Sequence, residues 1–242
     1  MARAKLSSHF LDYLAFTRNG ESQDARLPAL NDLSKQLGIS VSTLREQMEG
    51  ARTLGLVEAR PRTGIRRLPY SFLPAVRQSL SYAMAIDPQQ FQAFADLRRH
   101  VEAAYWREAV SSLTPADLEN LRSLMKQAWA KLHGTPIQIP QAEHRELHLS
   151  LYRRLNNPFV LGLLEAYWEA YEAVGLNVYA DYQYLTEVWN FHQRMVDAIC
   201  EGDLDAGYAA LVEHTDLIYH RPVQSQDGGS NSPISPMKMK EL

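Results

Sequence analysis

Cysteine is almost absent from this chain: Cys200 is the only one in 242 residues. A single thiol excludes an intramolecular disulfide framework and fits a compartment where thiols stay reduced. No run of about 18 apolar residues occurs, which excludes a predicted transmembrane helix and a membrane partner. The opening residues MARAKLSSHF lack the apolar stretch of a secretory signal. Strand signals stop near residue 70, and no internal repeat is visible. These absences lead to the expectation of a cytoplasmic, mostly helical protein.

What is present is enough for a folded core. Hydrophobic residues make up 45% of the chain, an ordinary share for a globular protein, and the length allows one large domain or two ordinary ones. The net charge of −3 is unevenly divided. Residues 1–69 hold 11 Lys+Arg against 7 Asp+Glu, about +4, and the remainder holds 14 against 21, about −7. A basic module joined to an acidic one fits a nucleic-acid contact at the N-terminal end.

The periodicity predicts a helix over 5–18, stopped by Asn19-Gly20. Two short helices follow, over 30–37 and 41–53, with Gly38 between them where a helix-turn-helix needs a tight turn. Leu56–Arg60 and Gly64–Leu68 read as strands joined by the turn Arg-Pro-Arg-Thr-Gly. Beyond residue 70 helical segments are predicted over 72–86, 88–111, 115–133, 139–155, 158–180 and 184–218. Gly202-Asp203 splits the last into two. Thr114-Pro115 and Asn157-Pro158 are helix starts, an N-cap followed by proline at the first helical position. The predicted organisation is 1–70 as a winged helix-turn-helix, 71–220 as an antiparallel all-α bundle, and 221–242 as a disordered tail.

Leu30, Leu33 and Leu37 give the first short helix an apolar face, and Leu44 and Met48 do the same for the second. Ser40 is placed to cap the second helix. Ser42, Thr43 and Arg45 then lie on its exposed N-terminal turn, the part that enters a major groove in such motifs. Hydroxyls and an arginine suit phosphate and base-edge contacts. Leu27-Pro28, Leu33-Ser34, Leu37-Gly38, Ser40, Leu44-Arg45-Glu46, Leu54-Gly55-Leu56-Val57 and Gly64 together resemble the winged-helix signature of the GntR family of transcription regulators. The resemblance implies double-stranded DNA as partner, contacted by Asn31, Ser40, Val41, Ser42, Thr43, Arg45 and the wing residues Arg62, Thr63 and Gly64. Asn31 and Val41 stand where many relatives carry arginine, which implies a different operator sequence. Arg60, Arg62, Arg66 and Arg67 make the wing basic, suited to phosphate or minor-groove contact.

His144 and His148 are four apart and share one helical face. His192 and His214 fall on the two later segments. An i,i+4 imidazole pair is half of a metal site that two further helices can close; the other reading is four satisfied core or surface histidines. Residues 88–219 resemble the FCD-type effector domain of the FadR-like branch of that family. The matching elements are Leu97-Arg98-x-x-x-Glu102, His144-x-x-x-His148, Asn156-Asn157-Pro158, His192 with Ala198-Ile199, Gly202-Asp203, Ala206 and His214. The resemblance implies a divalent transition metal, zinc or nickel, on His148, His192 and His214, with His144 in the place of the family's usual aspartate. It also implies a homodimer on a palindromic operator and a small-molecule effector, read here as a carboxylate. Arg98 then faces that effector, where its planar fork suits a carboxylate; a surface pair with Glu102 is the other reading of Arg98.

Two alternatives remain open at this point. The substitution at His144 also fits a metal-free regulator binding an apolar or acyl effector. A helical metalloenzyme is disfavoured, because no candidate ligand histidine has a glutamate three residues before it, as di-iron bundles require. No Ser-His-Asp or Cys-His arrangement is recognisable either.

Overall fold

The computed structural model describes residues 6–17, 26–60, 64–174 and 182–219. The described residues form ten helices and one two-stranded sheet. The N-terminal elements are α1 (His9–Phe16), α2 (Leu30–Leu37), α3 (Val41–Thr53), β1 (Val57–Arg60) and β2 (Gly64–Arg67). Ser8 caps α1, its hydroxyl accepting from the Leu11 N–H at 3.2 Å. α2 ends at Gly38 with φ 65°, a left-handed position that a Cβ disfavours. β1 and β2 pair antiparallel from Val57 opposite Arg67 to Arg60 opposite Gly64. Arg26 adds an isolated bridge to Arg66, and the Leu27 N–H donates to the Ile65 carbonyl at 2.9 Å. The sequence reading had no strand there, because one paired residue leaves no alternation to detect. Phe10, Leu14, Leu27, Leu33, Leu44, Ala51, Val57 and Ile65 close the core under these elements.

Seven helices follow: α4 (Leu73–Ile86), α5 (Gln90–Ser111), α6 (Pro115–Leu132), α7 (Gln141–Tyr152), α8 (Pro158–Ala173), α9 (Tyr182–Glu201) and α10 (Leu204–Tyr219). α9 and α10 pack on each other across the turn at Gly202-Asp203. α4 lies on α8, α5 contacts α7, α8 and α10, and α6 contacts α7 and α9. Trp106, Trp168 and Trp189 are buried at the centre. Each indole removes about 150–250 Å² from water, a gross gain of roughly 4–6 kcal/mol before entropy is counted.

The helix starts follow their caps. Thr114 and Asp117 form a capping box, with Pro115 at the first helical position of α6. The Asn157 side chain accepts from the Phe159 and Val160 N–H groups ahead of Pro158 in α8. α8 ends at Ala173, short of the helix read to residue 180; residues 175–181 lie outside the described part. The wing turn at 61–63 and the expected tail at 221–242 lie outside it too.

Candidate metal centre and DNA-contacting face

Four histidines from three helices meet in one place. α7 presents His144 and His148 one turn apart, α9 brings His192, and α10 folds back to bring His214 beside it. One nitrogen from each ring lies within 4.8 Å of all the others. His148 Nε2 lies 3.2 Å from His192 Nε2, which lies 3.1 Å from His214 Nε2. Ligand atoms about 2.0–2.1 Å from a tetrahedral ion stand about 3.3 Å apart, close to those two spacings. His148, His192 and His214 are buried, and His144 is half-buried with its Nε2 shielded from solvent.

The electrostatics favour neutral rings. Burial holds all four imidazoles well below their usual range, and the Arg98 charge acts in the same direction. Neutral imidazoles are the form that ligates a cation. The rings are not fully satisfied within the protein: His144 Nε2, His192 Nδ1 and His214 Nδ1 have no hydrogen-bond partner. With His148 Nε2 on one side and His214 Nε2 on the other, His192 Nε2 can act only as donor or only as acceptor. A buried, imidazole-rich donor set with converging ring nitrogens fits zinc or nickel.

Around the histidines lies a charged and aromatic shell. Arg98 on α5 is 1% exposed and its Nε pairs with Glu102 Oε2 at 2.9 Å. Its Nη2 lies 2.8 Å from His148 Nδ1, and its guanidinium sits over the Tyr167 ring at 4.5 Å. Burial works against the Arg98 charge, but Glu102 and the neighbouring tyrosines outweigh it and hold the guanidinium above its ordinary value. Burial pushes the Glu102 carboxyl up, and Arg98 draws it back. The i,i+4 partner of Arg98 read from the sequence is therefore present, but inside the bundle rather than on its surface. Glu102 Oε1 lies 3.1 Å from His148 Nδ1, and the Tyr152 hydroxyl donates to the Glu102 carbonyl at 2.9 Å. The Trp168 ring stands 4.7 Å from His144, and its Nε1 has no partner. The sequence reading did not single out Glu102, Tyr152 or Trp168 as neighbours of the histidines. For Glu102 the signal was its spacing from Arg98. Glu143 and Glu146, on the same helix as His144 and His148, pair elsewhere, with Lys131 and Arg153.

A separate groove of about 480 Å³ runs between α4 and α5, lined by Phe72, Val76, Leu80, Phe94 and Leu97 among others. Its lining carries no titratable side chain, and none of the histidines reaches it.

At the N-terminal end, Ser40 caps α3, its Oγ accepting from the Thr43 N–H at 3.1 Å. The Ser40 hydroxyl also meets the Ser42 and Thr43 hydroxyls at 2.8 and 2.9 Å. Asn31, Ser40, Ser42 and Arg45 are exposed, and Val41, Thr43 and Gly64 are half-buried. Arg62 and Thr63 lie outside the described residues. Ser40 and Ser42 stand at the first turn of α3 with Arg45 just beyond it, and Asn31 lies on α2; the N–H groups and dipole of a helix start favour an anion. The wing is less uniformly available than its composition implied. Arg67 is buried and donates to the Thr17 hydroxyl at 3.0 Å. Arg60 is exposed but pairs with Glu58 at 2.9 Å.

Comparison with known proteins follows the same division. Residues 93–217 match the model of the FCD domain. The "Putative L-lactate dehydrogenase operon regulatory protein" of Escherichia coli (strain K12) is 26% identical over 202 residues, covering 80% of this chain and 76% of its own length. The "Uncharacterized HTH-type transcriptional regulator YieP" of the same organism is 23% identical over 202 residues, covering 76% of this chain and 80% of its own. Among solved structures, Streptococcus agalactiae GntR superposes with a TM-score of 0.66 at 19% identity, covering 87% of this chain and 96% of that one.

Proposed function

This chain belongs to the FCD-domain branch of the GntR family of DNA-binding transcription regulators, and from that premise we propose that it couples operator binding to a small organic acid held at a divalent metal ion. The observation that carries the metal is the convergence of four neutral imidazoles, His144, His148, His192 and His214, from three helices. The ion, when bound, supplies positive charge and a coordination position for an oxygen ligand. Because all four protein ligands are neutral, they leave that charge uncompensated, which favours an anionic effector. The protein's own part is to hold the rings in place, keep them unprotonated and exclude water. The partnerless Trp168 N–H beside His144 suits an oxygen acceptor. Arg98 contributes charge to the site; any direct bond from it to an effector competes with its ion pair to Glu102. The family is one of transcription regulators, and no catalytic residue is assigned.

Residues 1–70 are the DNA module in this reading, with Asn31, Ser40, Val41, Ser42, Thr43, Arg45, Arg62, Thr63 and Gly64 at the duplex. Residues 71–220 bind effector and pair two copies. One helix-turn-helix reads few base pairs, so two copies on a palindrome supply the affinity.

The name of the Escherichia coli relative makes L-lactate the first effector to try. The test is fluorescence anisotropy of a labelled duplex selected from a random pool, with zinc-loaded and zinc-free protein, with and without L-lactate, and with a panel of other small carboxylates. The reading expects at least one acid to shift DNA affinity by about 5–150-fold, the usual range of allosteric coupling, in zinc-loaded protein only. An equal shift without zinc would replace it by a metal-free regulator.

A further inference from the structure

Glu102 has no part in the reading above, yet it is completely buried and touches one of the four rings. His148 Nδ1 stands between two unlike partners, Glu102 Oε1 at 3.1 Å and Arg98 Nη2 at 2.8 Å. A neutral imidazole cannot satisfy both. If Nδ1 carries the proton, it donates to the Glu102 carboxylate, and Nε2 keeps its lone pair facing His192 and His214. If Nδ1 accepts from the Arg98 guanidinium, the proton sits on Nε2 and points at His192 Nε2, 3.2 Å away. Only the first tautomer offers Nε2 to a cation. The two partners of one nitrogen therefore decide whether the cluster is ready for a metal.

We propose that Glu102 is the positioning residue that fixes His148 as its Nδ1–H tautomer, with Arg98 serving as the counter-ion of Glu102. The assignment rests on the metal reading of the histidine cluster. Three features of Glu102 suit the role. Its side chain is 0% exposed, so water does not compete for the Nδ1 proton. Its other oxygen stands 2.9 Å from Arg98 Nε, an ion pair that sets a cation behind the carboxylate. Its backbone carbonyl accepts from the Tyr152 hydroxyl at 2.9 Å, which ties α5 to α7 at this level. A carboxylate behind a metal-ligating histidine fixes ring orientation and raises ligand basicity, and losing it costs about 10–100-fold in metal affinity.

The test is a competition titration of zinc into the full chain, together with nitrogen NMR of the imidazoles in zinc-free protein. Glu102→Ala is expected to bind zinc about 10–100-fold more weakly than the parent. Glu102→Gln keeps an oxygen acceptor for the Nδ1 proton and is expected to fall closer to the parent than to the alanine variant. A purely structural role predicts instead that affinity follows the melting temperature across the variants. Glu102→Ala leaves Arg98 as an uncompensated buried charge; should it fail to fold, the double variant Arg98→Met/Glu102→Ala removes both charges and is expected to show the same loss. The NMR spectrum, with the His148 signals identified by their absence in His148→Asn, is expected to show Nδ1 protonated and Nε2 bare before any metal is added. His148 protonated on Nε2, or folded Glu102→Ala or Arg98→Met/Glu102→Ala protein binding zinc within about threefold of the parent, overturns the assignment. No zinc uptake by the parent overturns the metal reading and this inference with it; uptake by the parent without loss in the variants overturns the role of Glu102 alone.

Discussion

His192 illustrates what a single buried imidazole does here: it touches His148 and His214 through one nitrogen and has no partner at the other. Its folded-state pKa, like those of the other three rings, lies well below the ordinary value, first because of burial. The sign of the linkage follows. The unfolded chain takes up protons near pH 6.5, and the folded chain resists them, so the stability from neutral burial is present above about pH 6.5 and is lost as pH falls. The melting temperature of metal-free protein is expected to drop steeply between about pH 7 and pH 5. A flat melting profile across that window would contradict four neutral buried rings. At the other end of the molecule Arg45 is exposed and makes no ion pair among the described residues. Arg45→Ala is expected to weaken binding to a selected duplex by about 1–3 kcal/mol at fixed salt; unchanged affinity would move the recognition surface elsewhere. The histidines were legible from spacing and resemblance. The role of Glu102 was not: Arg98, Glu102 and Trp106 share one face of α5, and two charged residues in a stripe read as a solvent side until the bundle is seen to close over them.

At the scale of the element, helix starts were the most legible feature, because caps act locally. Ser40, Thr114-Pro115 and Asn157-Pro158 each stand where a helix begins. The end of α8 was less so: Gly175 follows the C-cap Val174 in the sequence, a helix-stop signal, but the aromatic pattern that continues past it outweighed that signal in the reading to residue 180. Close packing between helices was not legible at all. A Cβ on Gly162 of α8 would stand 2.6 Å from the Leu73 backbone nitrogen and 2.9 Å from Phe72 Cβ. This is where α8 presses on the start of α4, the helix that follows the wing. Backbone cannot give way as a flexible side chain can, so Gly162→Ala is expected to destabilise the protein by about 1–3 kcal/mol. Denaturant unfolding at neutral pH measures this. Parent-like stability would mean the α4–α8 contact is looser than described.

The whole molecule divides its chemistry as its charge divides. Residues 1–69 carry the positive excess and the exposed first turn of α3, and the acidic remainder carries the buried histidines. That division was visible in composition, whereas the meeting of α7, α9 and α10 at one point required the fold. Sedimentation of the full chain at micromolar concentration is expected to give a dimer, as a palindromic operator demands; a monomer, alone and on DNA, would contradict that assembly. The central claim is that the four imidazoles hold one ion, and native mass spectrometry of untagged protein dialysed against zinc or nickel tests it directly. The expected result is about one ion per chain, lost on chelation together with a lowered melting temperature, since an ion bound only by the folded state stabilises it. Less than about a tenth of an equivalent under both metals, with a melt that chelation leaves unchanged, would contradict the metal centre.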